Sequence, residues 1–232
     1  MARWLAELAV ELRDRIPTGL PPIPPAAPEN AVQAVGWGED HDPLLSVPQE
    51  LAVWHVYQDL PIQSLPAKVQ LRAGLICRLI EAQRSLPRGI GLVILDAWRT
   101  SQFQADLLAY YRALAGEDLG LYVSDPANTV LMAPHTTGGA VDLTLTVDGV
   151  PVAMGTDFDS FADAAHVRAL DDVPDDADPR LVLDRDLRRL LAQVLLSADI
   201  APYPLEWWHW SYGDQRWAAF VGRDRTCYSP IE

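Results

Sequence analysis

The chain has 232 residues, 49% hydrophobic and 22% charged, a composition that excludes collagen, whole-chain disorder and low-complexity arrays. Lys and Arg number 18 against 32 Asp and Glu, a formal charge of −14, so the basic footprint that would neutralise nucleic-acid phosphates or anionic lipid is missing. Two cysteines, Cys77 and Cys227, are too few for a disulfide framework and form no metal-type pair.

In chain order, residues 3–16 carry Trp4, Leu5, Leu8, Ala9 and Leu12 at helical spacing, which predicts a short amphipathic helix. Charges at Arg3, Glu7, Glu11 and Arg13 interrupt the apolar centre that a signal peptide needs. No apolar run reaches the ~18 residues that span a bilayer, so a soluble, cytoplasmic protein with no membrane partner is expected. The prolines from Pro17 to Pro28 predict an extended connector, and residues 31–63 read as loops with one short strand near Ala52–Tyr57. A mostly buried helix is predicted over 66–85, with Cys77 as a buried thiol, followed by a core strand over Gly91–Leu95. A second helix is predicted over 101–115, stopped by Gly116. Ala140–Val147 alternates as a strand, and Asp148-Gly149 turns it into Val150–Met154. A third helix covers 184–198, and the aromatic segment 206–212 reads as a strand. Helices and strands mix without a regular βαβ repeat. The expected fold is therefore α+β, a central, largely antiparallel sheet with flanking helices.

Three clusters carry chemistry. In the first, His135 and Asp142 are separated by Gly138-Gly139 on the approach to a strand, and glycines allow the sharp turn that would return an imidazole to a strand carboxylate. In the second, Glu206-Trp207-Trp208-His209, a carboxyl and an imidazole sit among indoles, costly unless paired or bound to a metal. Residues i and i+3 of a regular strand point to opposite faces, so a shared site requires a bulge or a strand end there. His135, Asp142 and His209 would give zinc two imidazoles and a carboxylate with an open fourth position, the pattern of catalytic sites, leaving Glu206 as a base. In the third cluster, Asp96 could orient Arg99 at a strand end, where a guanidinium can hold an oxyanion or a carboxylate.

The ordered motifs D-x-x-R (Asp96–Arg99), H-x-x-G-x-A-x-D (His135–Asp142), M-G-T-x-F-D-x-F (Met154–Phe161) and E-W-W-H (Glu206–His209) resemble the D-alanyl-D-alanine dipeptidases, zinc peptidases related to D-Ala-D-Ala carboxypeptidases. The resemblance implies a zinc site at the sheet with His135, Asp142 and His209 as ligands and Glu206 as catalytic base. It implies that Arg99 stabilises the tetrahedral intermediate and contacts substrate, and that Asp159 holds the substrate's amino end. The resemblance covers about residues 70–218 and the first 60 or so add little to it; the expected division is a zinc peptidase domain over 64–232 with residues 1–63 packed on it as helix, Pro-rich connector and loops. The implied reaction is hydrolysis of D-Ala-D-Ala or a similar small dipeptide by Glu-assisted attack of water on zinc, in cell-wall turnover or resistance. Two alternatives stay open: a peptidase for another D- or L-peptide in a biosynthetic pathway, and an inactive zinc-binding homologue. The family's serine two residues before the first ligand is Ala133 here, which leaves the choice of dipeptide open. His166 reads as structural, and the oligomeric state is open.

Overall fold

Ala140–Val147 is buried along its whole length, and a strand buried on both faces belongs in the middle of a sheet. The computed structural model, which describes residues 4–115 and 124–231, places it there. In chain order the strands are β1 (Leu44–Ser46), β2 (Ala52–Val53), β3 (Gln70–Arg72), β4 (Ile90–Asp96), β5 (Ala140–Val147), β6 (Val150–Pro151), β7 (Ala201–Pro202) and β8 (His209–Ser211). The helices are α1 (Glu29–Gln33), α2 (Ala73–Ser85), α3 (Ser101–Ala115), α4 (Pro179–Ser197) and α5 (Gln215–Phe220). The main sheet runs β2-β4-β5-β8-β7 with β6 folded onto β5, while β1 and β3 form a separate pair.

The architecture is mixed α+β with flanking helices. In place of the largely antiparallel sheet expected, the sheet is mixed, because β2 lies parallel to β4. The chain leaves β2, crosses through α2 and returns as β4 in the same direction, the kind of long connection a parallel pair needs. The other neighbours, β4–β5, β5–β6, β5–β8 and β7–β8, run antiparallel.

Several elements end where tertiary bonds compete with local pattern. The helix expected over 3–16 is only a 3-10 turn at Val10–Arg15. Leu5 and Leu8 are buried as predicted, yet Ala6 bridges Val152, donating to Pro151 O at 3.1 Å and accepting from Ala153 N at 2.7 Å. The backbone amides of Trp4 and Leu5 donate to the Asp157 carboxylate at 2.8 and 2.9 Å. Edge pairing thus takes the groups a helix would have used, while β6 ends at Pro151 rather than at the expected Met154. Arg3 and the expected stop at Gly116 lie outside the described residues.

The helix expected from Pro66 begins at Ala73, since Gln70–Arg72 pairs with β1 and Arg72 N donates to Gly138 O at 2.8 Å. Cys77 is exposed on α2, correcting its reading as a buried thiol, and the buried face of that helix is Leu75, Ile76, Leu79 and Ala82. Helix α4 starts five residues before the predicted Asp184, with Pro179 in its first turn and the Asp178 side chain capping Arg180 N at 2.8 Å. One core joins Leu5, Ile16 and Ile23 of the N-terminal segment to β4, β5 and α4. Among the described residues, no helix is long and apolar enough to cross a membrane.

Candidate active site

The sheet register puts three polar residues in one row. Asp96 of β4 is opposite Asp142 of β5, which is opposite His209 of β8. Residues directly across from one another on antiparallel strands lie within about 5.5 Å at Cβ and share a face. A register shift between Ile94 and Asp96 brings Asp96 into the row. His135 joins from the 3-10 turn Pro134–Thr137, which ends at Gly138 with φ +71°. Gly139 then passes so close to Tyr212 that an added Cβ would lie 2.4 Å from its carbonyl oxygen. The two glycines therefore perform the turn expected of them.

His135 Nε2, His209 Nδ1 and Asp142 Oδ1 form a triangle with edges of 3.1, 3.0 and 3.3 Å. Four-coordinate zinc with bonds of about 2.0–2.1 Å separates its ligand atoms by roughly 3.3–3.4 Å, so the triangle needs only slight expansion to hold such an ion. His135 Nδ1 donates to Ala97 O at 2.7 Å, which leaves its Nε2 lone pair facing the triangle. His135, Asp142 and His209 are all buried, and together they could hold a metal ion. The segment expected to be a strand over 206–212 is a turn through Trp208, and β8 begins only at His209. That turn resolves the two-faces problem: Glu206 Oε2 comes to 3.9 Å from His209 Nδ1.

Burial opposes ionisation of Asp142, but the charges and hydrogen bonds of His135 and His209 outweigh it and hold this carboxyl well below the usual range. The opposite balance holds at Glu206, where burial and repulsion from Asp142 and Asp159 push the carboxyl well above its ordinary value against the pull of Arg99 and Arg216. Burial also lowers His209, which favours its neutral imidazole, the form that ligates metals, against the pull of Asp142.

Arg99 is held on every nitrogen. Its Nε donates to Asp96 at 2.6 Å, Nη1 to Gln104 at 3.0 Å and Nη2 to Asp142 at 3.2 Å. The predicted Asp96–Arg99 pair is thus present, with Gln104 of α3 as an unforeseen third partner. Asp159 accepts from the hydroxyls of Tyr57, at 2.9 Å, and Tyr111. Its backbone has φ +54°, a conformation uncommon for a residue with a side chain. Arg188 of α4 steadies this loop by donating to the carbonyls of Met154, Ala164 and His166.

A cleft of about 490 Å³ brings together Arg99, His135, Asp142, Asp159, Glu206 and His209, the six residues to which the resemblance gives a role, while Asp96 stands behind it on Arg99. Tyr57 and Tyr111 also line it and were missed; each sits in a stretch whose sequence carries no motif. Ala133 is buried and does not line the cleft, where its neighbour Pro134 does. His166 lies outside it.

Burial and the charge of Asp142 push Asp159 up to about 7, against its tyrosine bonds and Arg99. The folded protein then keeps a proton there that the unfolded chain releases near pH 4. That stability is full below about pH 4 and is lost as pH rises through about 7. Metal-free Asp159→Asn should therefore be more stable than its parent at pH 8, by at least about 1 kcal/mol, with the gap closing near pH 4. Thermal melts at the two pH values check this, and equal melts at both would mean that Asp159 is ionised in the fold.

A family model described as D-ala-D-ala dipeptidase matches residues 68–228. A D-alanyl-D-alanine dipeptidase from Synechocystis sp. is 38% identical over 95 residues, covering 39% of this chain and 38% of that relative. The chain thus aligns with well under half the length of that curated relative, while the family model takes in all four motifs and the entire row of polar residues across the sheet. This chain belongs to the D-Ala-D-Ala dipeptidase family of peptidases.

Proposed function

We propose that the protein is a zinc-dependent dipeptidase that hydrolyses D-Ala-D-Ala or a similar small dipeptide in the cytoplasm. The observation that carries this reading is the 3.0–3.3 Å triangle of His135 Nε2, His209 Nδ1 and Asp142 Oδ1 with Glu206 beside it. His135, Asp142 and His209 would hold the ion. When bound, zinc polarises a carbonyl and lowers the pKa of water to about 7. Glu206 takes the proton of the attacking water on its carboxylate and returns it to the leaving amine nitrogen. Arg99, with its plane locked by Asp96, Gln104 and Asp142, presents donors to the oxyanion without having to reorganise. Asp159, in its ionised form, holds the substrate ammonium group, with the hydroxyls of Tyr57 and Tyr111 fixing the carboxylate.

The test pairs metal analysis with turnover. Zinc-loaded protein should carry one zinc per chain, Asp142→Ala should lose it, and the parent should release amine from D-Ala-D-Ala within a panel of D,D-, L,D- and L,L-dipeptides. Full zinc content in Asp142→Ala would remove Asp142 from the ligand set. A zinc-loaded parent inert on the whole panel would overturn the dipeptidase assignment.

A further inference from the structure

A dipeptide is a zwitterion, and a site that takes it needs a cation for the carboxylate as well as an anion for the amine. Two arginines line the cleft, Arg99 and Arg216. Arg99 is buried, three of its five N–H groups are bonded to Asp96, Gln104 and Asp142, and the two that remain are the donors assigned to the oxyanion. Arg216 of α5 is held far more lightly. Its Nη1 donates to Glu29 at 3.1 Å, and that carboxylate is 44% exposed. Its guanidinium carbon lies 4.5 Å from the ring centroid of Tyr203. Ion pairs to an exposed partner are weak, so exchanging Glu29 for another carboxylate costs little. An aromatic face holds the guanidinium plane in place while leaving its edge free for two parallel bonds.

Its position selects which end of the substrate it meets. A second depression adjoins the cleft, and Ser124, Pro134, Tyr203 and Arg216 line both. Asp159, Tyr57 and Tyr111 line only the first. A peptide with its amine at Asp159 and its scissile carbonyl at the His135–Asp142–His209 triangle therefore directs its leaving residue toward the wall that carries Arg216.

We propose that Arg216 reads the free carboxylate of the leaving residue, and so restricts the site to peptides that end one residue past the scissile bond. The proposal rests on the dipeptidase reading with Asp159 at the amino end. Arg216 is a specificity-determining residue here; it takes no part in bond cleavage. Glu29 occupies the guanidinium until substrate arrives and competes with it.

The test is equilibrium binding, read by calorimetry on zinc-loaded protein carrying Glu206→Gln so that ligand is not consumed. The probes are D-Ala-D-Ala and the same dipeptide with a C-terminal amide. The free acid should bind about 10- to 100-fold more tightly than the amide, the range of a charge-assisted hydrogen bond. Adding Arg216→Ala should bring the acid down to the level of the amide and leave the amide unchanged. Glu29→Gln, which removes the competitor without touching the arginine, should tighten the acid several-fold and leave the amide alone, so the proposal stays testable should Arg216→Ala misfold. Equal binding of the two probes in the Arg216-containing protein, an acid preference that survives Arg216→Ala, or no binding of either probe would overturn it. Turnover of the parent with Glu206 intact separates the two readings. Hydrolysis without an Arg216-dependent preference sinks this proposal alone. An Arg216-dependent preference without hydrolysis sinks the dipeptidase reading and the leaving-residue role with it, and leaves Arg216 as the group that binds the peptide carboxylate.

Discussion

Glu206→Gln should keep its zinc and lose turnover on D-Ala-D-Ala by about 10²- to 10⁴-fold, the usual contribution of a general base. The amide matches the carboxylate in shape but cannot accept the proton of the attacking water. Glu206 is not one of the three donors of the triangle, so metal content is the control that separates loss of the base from loss of the site. The folded protein should not suffer, because burial and the neighbouring carboxylates already disfavour the charged form that Gln removes. Steady-state kinetics with metal analysis checks both halves. Near-normal turnover in the variant would mean that another group activates the water.

Arg99→Lys should lower kcat by about 10²- to 10³-fold while leaving KM within a few-fold, the signature of an interaction made mainly in the transition state. The charge survives, but an ammonium cannot reproduce a planar fork that meets Asp96, Gln104 and Asp142 at once. Burial disfavours the cation, and the charges of Asp96 and Asp142 overcome that penalty, so the arginine stays charged at any working pH. A raised KM with unchanged kcat would instead assign Arg99 to binding a substrate carboxylate, and would compete directly with the role given to Arg216.

The candidate site was legible where chemistry is packed into short motifs. His135, Asp142, Glu206 and His209 lie in two stretches of unusual composition, and the cross-strand register Asp142↔His209 joins those stretches in space. Arg99 and Asp96 were legible for the same reason, at the end of a strongly apolar strand. Tyr57, Gln104, Tyr111 and Arg216 were not, because each sits in an ordinary loop or helix and acquires its role only when the fold brings it to the cleft. The errors in secondary structure have a common physical source. Residues 4–9 and 70–72 carry apolar spacing that suits a helix, but backbone partners at Pro151, Ala153, Gly138 and β1 offered those amides and carbonyls strand-type bonds instead. Local periodicity reports which side chains are buried, and did so correctly for Leu5, Leu8 and Leu71, without reporting what the backbone bonds to.

The bridge from Ala6 to Val152 and the bonds from Trp4 and Leu5 to Asp157 place the first residues of the chain two positions from Asp159. Trp4 also packs on Phe158 and Tyr57, with ring centroids 5.4 and 6.5 Å apart. The matched stretch, 68–228, contains none of Trp4, Leu5, Ala6 or Tyr57. Heredity can therefore act on two parts of this protein at different tempos. Substitutions in the N-terminal arm would leave the row Asp96–Asp142–His209 untouched while reshaping the wall beside Asp159, where the proposed dipeptide places its amine, so the selectivity proposed for the site can be altered from outside the matched segment.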